Sequence, residues 1–133
     1  MFNILSGYET ANVKSYAFKQ GEVIKDGEWV VFDKAVGKLV KQVGVYDPAT
    51  QGVAFPVFGG NDVRFDSKFM GNVSVITATS FAGETDVIAA TTIGIGDMLT
   101  IEDGKITKAA SNVGIIGYCT KPNTNGVIEF VRA

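Results

Sequence analysis

Residues 96–108 read GDMLTIEDGKITK, and the fold class turns on how this stretch is read. Met98-Leu99-Thr100-Ile101 and Ile106-Thr107 are β-prone runs, and between them Glu102-Asp103-Gly104-Lys105 holds an Asp-Gly pair. A two-residue type I′ turn needs positive φ at both central positions, which Asp-Gly tolerates and most pairs do not. The stretch therefore predicts a tight antiparallel hairpin. Toward the C-terminus, Val113 to Tyr118 and Val127 to Val131 predict two further strands, separated by the turn-rich loop KPNTNG at residues 121–126.

Toward the N-terminus the same wording recurs. Gly27-Glu28-Trp29-Val30-Val31-Phe32-Asp33 followed by Gly37-Lys38-Leu39-Val40-Lys41 echoes Gly96-Asp97-Met98-Leu99-Thr100-Ile101-Glu102 followed by Gly104-Lys105-Ile106-Thr107-Lys108. Each is followed by a Val-Gly or Ile-Gly step, a tyrosine and a Pro-containing loop ending in glycine. These are Val43-Gly44-Val45-Tyr46 with Pro48 and Gly52, against Ile116-Gly117-Tyr118 with Pro122 and Gly126. The echo predicts a pseudo-repeat of residues 27–58 and 96–131 in which two similar hairpins close one core.

Elsewhere, Val23-Ile24 is a short strand candidate. Val53 to Phe58 is an apolar strand that Pro56, lacking an N–H, confines to an edge or a bulge. Val73 to Thr79 is the longest β-prone run and reads as a central strand with Val73, Val75, Thr77 and Thr79 on one face. Ala11 to Tyr16 has room for one short turn of helix. The expected fold is all-β: a single compact sandwich or barrel, jelly-roll-like or β-tulip-like, of short antiparallel strands. Residues 1–20 form an N-terminal arm or first strand, and residues 21–133 one β domain.

Composition narrows the function. Of 133 residues, 46% are hydrophobic and 20% charged, enough apolar material for a packed core. The net charge of −2 and the scattered Lys and Arg residues predict no direct nucleic-acid binding. No apolar run approaches the roughly 20 residues of a membrane span, and no signal peptide is recognisable, so no membrane partner is expected. Histidine is absent and Cys119 is the lone cysteine, which removes the commonest acid–base group and every intramolecular disulfide. The expectation is no enzyme, no catalytic residue, no cofactor and no metal.

Residues that carry chemistry elsewhere have plainer readings here. Asp62, Asp66, Glu84, Asp86, Asp97, Glu102 and Asp103 lack the acidic ladder of an EF-hand and read as turn carboxylates. Gly94 and Gly96 form a Gly-x-Gly with no third glycine and no Lys-Ser/Thr ending, so they read as a turn. Cys119 reads as a small space-filling side chain.

Aromatics say more: nine Phe, four Tyr and one Trp exceed what a small core needs, which points to a subunit interface. Phe65, Phe69 and Met70 lie in a stretch mixing charge with bulk. Phe2, Ile4, Leu5 and Tyr8 form an apolar N-terminus that either docks on a neighbouring subunit or adds a strand to this chain's own sheet. These seven are the candidate protein-interface residues.

The size, the all-β composition, the Gly96 to Lys108 pattern, the Ile115-Ile116-Gly117-Tyr118 step and the terminal Gly126-Val127-Ile128-Glu129-Phe130-Val131 together resemble the decoration, or cement, proteins on tailed-bacteriophage capsids. The resemblance covers mainly Gly96 to the C-terminus, with an echo from Gly27 to Phe58. It implies a homotrimer or homodimer on the virion exterior, made in the host cytoplasm, that bridges neighbouring major capsid protein subunits and brings no catalytic residues. The alternative is a receptor- or carbohydrate-binding module of a fibre or tail, with Trp29, Tyr8, Tyr16, Tyr46 and Tyr118 stacking on sugar rings.

Overall fold

A computed structural model describes residues 1–6, 12–19, 21–60, 71–89 and 92–133. It is all-β, with 51% of the described residues in strands and 3% in helix. The strands are β1 (Phe2–Ser6), β2 (Val13–Ala17), β3 (Trp29–Asp33), β4 (Lys38–Lys41), β5 (Ala54–Pro56), β6 (Asn72–Ile76), β7 (Phe81–Thr85), β8 (Met98–Glu102), β9 (Lys105–Lys108), β10 (Gly117–Thr124) and β11 (Val127–Arg132), with a one-turn helix α1 (Pro48–Gln51). They form sheets ordered β1-β7-β11-β10-β8-β9, β4-β3-β5 and β2-β6, every ladder antiparallel.

The decisive hairpin forms as its turn chemistry requires. Glu102 pairs with Lys105, and between them Asp103 and Gly104 take φ of 51° and 76°. A second such turn closes β10 onto β11, where Thr124 pairs with Val127 and Asn125 and Gly126 take φ of 55° and 83°. Residues 121–124, expected as loop, belong to the strand; two register irregularities let it pass Pro122.

Part of the chain's backbone hydrogen bonding occurs twice. Gly27 N–H donates to Val57 O, Val57 N–H to Glu28 O and Glu28 N–H to Lys25 O. Gly96 N–H donates to Cys119 O, Cys119 N–H to Asp97 O and Asp97 N–H to Gly94 O in the same arrangement. Gln42 N–H reaches Trp29 O as Ala109 N–H reaches Met98 O, and Lys19 N–H reaches Leu39 O as Ala89 N–H reaches Ile106 O. Even the ion pairs correspond: Lys41 with Glu28 at 3.6 Å and Lys108 with Asp97 at 3.7 Å.

Each half is thus a five-stranded circuit. In the first, β4-β3-β5 continues to β6 through a Val57–Val75 bridge, then along the ladder to β2, and returns to β4 through Phe18–Leu39. In the second, β9-β8-β10-β11-β7 returns to β9 through Ile88–Ile106. Single bridges, not ladders, complete both circuits, and among the described residues no barrel is closed.

The cores follow the same plan. Phe18, Ile24, Val30, Leu39, Val57, Val73 and Val75 form the buried cluster of the first half. By paired position their counterparts are Ile88, Ile93, Leu99, Ile106, Cys119, Ile128 and Phe130, all in or packed against the second cluster. That larger cluster also takes Trp29, Val31, Tyr46, Ala54 and Ile76 from the first half, so the halves share one interior.

The equivalence departs from the sequence echo after the hairpins. Gly117-Tyr118-Cys119 corresponds to Phe55-Pro56-Val57, because both segments pair with the first strand of their hairpin, and not to Val43-Gly44-Val45-Tyr46. Residues 13–17, where a helical turn had room to form, are strand, since β6 offers them a ladder. Val23-Ile24 is irregular backbone with Ile24 buried. The run from Val73 ends as strand at Ile76. Pro56 lies on the outermost strand of its three-stranded sheet, where its missing donor costs no ladder bond.

Candidate functional site

The N-terminal residues expected at an interface divide. Phe2 is 2% exposed and packs edge-to-face with Phe81 and Phe130 at 6.0 and 5.9 Å. Gly83 makes room for it, since a Cβ there would lie 3.3 Å from both the Phe2 and Phe130 rings. Phe2 is therefore a core residue, a correction to its reading as an interface residue: β1 adds itself to the chain's own sheet through β7. Ile4 packs against the same core, and Leu5 is 46% exposed. Tyr8, Phe65, Phe69 and Met70, like Asp62 and Asp66, lie outside the described residues.

The acidic residues hold the backbone in place. Glu84 accepts from Asn3 Nδ2 at 2.8 Å, Asp97 from Gly94 N–H at 2.8 Å and Asp103 from Gly44 N–H at 2.7 Å. Asp97 thereby closes the Gly94–Gly96 turn. Among the described residues no three His, Cys, Asp or Glu side chains are grouped to hold a metal ion, and no helix is long and apolar enough to cross a membrane. Cys119 is buried; burial pushes its thiol up, and its Sγ donates to Lys121 O at 3.1 Å.

An open cleft of about 500 Å³ lies where β1 meets the seam of the halves, lined by Met1, Lys25, Asp26, Glu28, Asp86, Val87, Ile88 and Lys105. Its carboxylates are engaged: Asp86 with the Met1 ammonium at 2.7 Å, Asp26 with Phe2 and Gly59 N–H at 3.0 and 3.1 Å, and Glu28 with Lys41. These contacts tie together the strands and loops around the cleft.

Residues 42–53, read in the sequence as part of the echo, connect β4 to β5. Their counterpart, residues 109–115, is shorter and carries no helix. Gln42 is the hub. Its amide is 1% exposed: Nε2 donates to Gly44 O at 2.8 Å and Val43 O at 3.2 Å, and Oε1 accepts from Gly104 N–H at 2.8 Å. Gln51 Nε2 adds a 2.9 Å bond to Val43 O. Asp47 caps α1 through Ala49 N–H at 3.0 Å, and Tyr46, buried, donates from its hydroxyl to Gly52 O at 2.5 Å. Asp103 N–H bonds Gly44 O and Tyr46 N–H bonds Ile101 O, locking the loop to the hairpin turn.

On this braced frame Val43, Val45 and Val53 stand in solvent at 69, 66 and 54% exposure, and Val113, at 57%, precedes the Gly114 that packs on Tyr46. A free loop would fold such side chains inward. Here Val43 O, Gly44 O, Gly44 N–H and Tyr46 N–H are all spent on the brace, which fixes the backbone that carries these valines. Of the aromatic residues expected to stack on sugars, Trp29 and Tyr46 are core residues, Tyr16 is half-buried against Phe32, Tyr118 is exposed and Tyr8 lies outside the described residues.

No protein-family model, curated protein or solved structure matches the chain.

Proposed function

We propose that this chain is a non-enzymatic structural protein that docks on the outer surface of a viral capsid and stabilises it by bridging major capsid protein subunits. The observation that carries the reading is the braced valine surface at residues 43–53. It presents apolar groups rigidly, the property a joint-covering protein needs if weak repeated contacts are to add through high effective concentration. The all-β scaffold with one shared interior supports it, because load passed between neighbouring subunits is carried by packed sheets.

The test is co-sedimentation of the purified protein with phage shells, comparing wild type with the double variant Val43→Asp, Val45→Asp. Both positions are exposed, so folding is expected to be unchanged by circular dichroism. Occupancy on the shells is expected to fall by about 100-fold, two apolar contacts of roughly 1–1.5 kcal/mol each lost at the centre of a dock. Undiminished occupancy would remove this loop from the interface.

A further inference from the structure

The two halves differ at one sheet edge. In the second, β7 has β11 on one side and β1 on the other. In the first, β2 is the counterpart of β7 and has β6, the counterpart of β11, on one side; among the described residues no strand pairs along its other side.

The backbone groups left on that side can be named. Thr77 N–H donates to Asn12 O, and Phe18 N–H donates to Gly71 O, so the even-numbered residues of β2 turn their groups toward β6. By the alternation of an antiparallel ladder, the N–H and C=O of Val13, Ser15 and Ala17 face the other way. Lys19 N–H, on that same side, reaches Leu39 O of β4, which marks where the open edge ends. In the second half the residues at the positions of Ser15 and Val13 are Glu84 and Ala82, which face Asn3 and Ser6 of β1.

We infer that the β2 edge is a docking site for an extended segment of a partner protein, added as β1 is added to β7, and that this segment carries a carboxylate side chain. The charge follows from register. Lys14 stands at the position of Gly83, the residue that β1 meets with Ile4. It pairs with Val75, so it shares the core-side face of the sheet, yet it is exposed. A lysine there repels an apolar or basic strand and favours one that presents a carboxylate at the place of Ile4. Two copies of β2 paired about Ser15 would set Lys14 against Tyr16 and leave both ammonium groups unmatched, so a second copy of this chain is the poorer occupant. The site is separate from the valine surface and stands whether or not the partner is a capsid.

The probe is an acetylated, amidated hexapeptide of residues 1–6 with Ile4→Glu, added at about millimolar concentration to the full chain and read by amide hydrogen exchange. In the free protein the Val13, Ser15 and Ala17 amides are expected to exchange faster than those of Lys14 and Tyr16. The peptide is expected to slow these three and to lose effect in high salt. Lys14→Glu is expected to weaken the peptide about tenfold, an attractive cross-strand pair made repulsive, and a peptide with Ile4→Lys to restore it. Three results overturn the inference: slow exchange of the three amides in the free protein, which means the chain covers its own edge; protection that rises with protein concentration alone, which means a second copy does; and peptide that leaves the three amides unchanged.

Discussion

Cys119 shows how position in a duplicated plan decides what a residue is for. Its counterpart is Val57, and both are buried residues whose C=O and N–H bond the Gly-acidic pair that precedes their half's hairpin. The lone cysteine is thus a valine-sized filler, in keeping with its reading in the sequence as a small space-filling side chain. Burial raises its thiol above the ordinary value of 9.0. An unfolded chain then ionises at lower pH than the folded one, so this contribution is whole below 9.0 and is lost as pH rises through the folded value. Cys119→Val is expected to change stability at neutral pH by less than about 1 kcal/mol and to flatten the decline just above pH 9.0, leaving the later decline due to the similarly raised Tyr46. Urea denaturation at stepped pH measures both; an unaltered alkaline slope would refute the assignment. Phe2 was legible only as apolar. A hydrophobic side chain at a terminus fits its own core or another's equally well, and what chooses is Gly83, eighty-one positions away, whose missing side chain leaves the cavity.

Elements were legible where turn chemistry is local. Asp103-Gly104 could be read with its register, and Asn125-Gly126 carries the same signal but was submerged among the other turn residues of 121–126. β2 and β7 were not readable as strands: VKSYA and FAGET alternate weakly, and they are strands because β6 and β11 offer them ladders. The glycines in β10 and its turn separate local from tertiary cost. Gly126 has φ of +83° and open space around it, so Gly126→Ala is expected to cost about 1 kcal/mol, the strain of a left-handed alanine. Gly117 is held between β8 and β11, and a Cβ there would lie 2.0 Å from Val131 O, a backbone atom of β11 that the ladders with β10 and β7 fix. Gly117→Ala is expected to cost at least about 3 kcal/mol, with equal costs in thermal denaturation counting against the described packing.

For the molecule as a whole, the sequence showed the likeness of the two hairpins but not its extent, since only the hydrogen-bond plan and not residue identity is shared by β2 with β7 or β6 with β11. Nor could it show the valine surface, because an exposed valine and a buried one look alike until the brace around Gln42 is known. The common interior has a thermodynamic consequence. Trp29, in the first half, packs among second-half residues and is the single tryptophan, so its fluorescence and the far-ultraviolet circular dichroism should report one coincident unfolding transition. Two separated transitions would mean that the halves are independent. A last consequence is mechanical. β1 and β11 lie on either side of β7, both antiparallel to it and hence parallel to each other, with Phe2 opposite Thr85 and Arg132 opposite Phe81. Tension applied through residues 1 and 133 drags the two strands in opposite directions along β7, loading every rung of both ladders at once instead of unzipping them in turn. The chain is a shear clamp along the line joining its ends and softer to pulls across it.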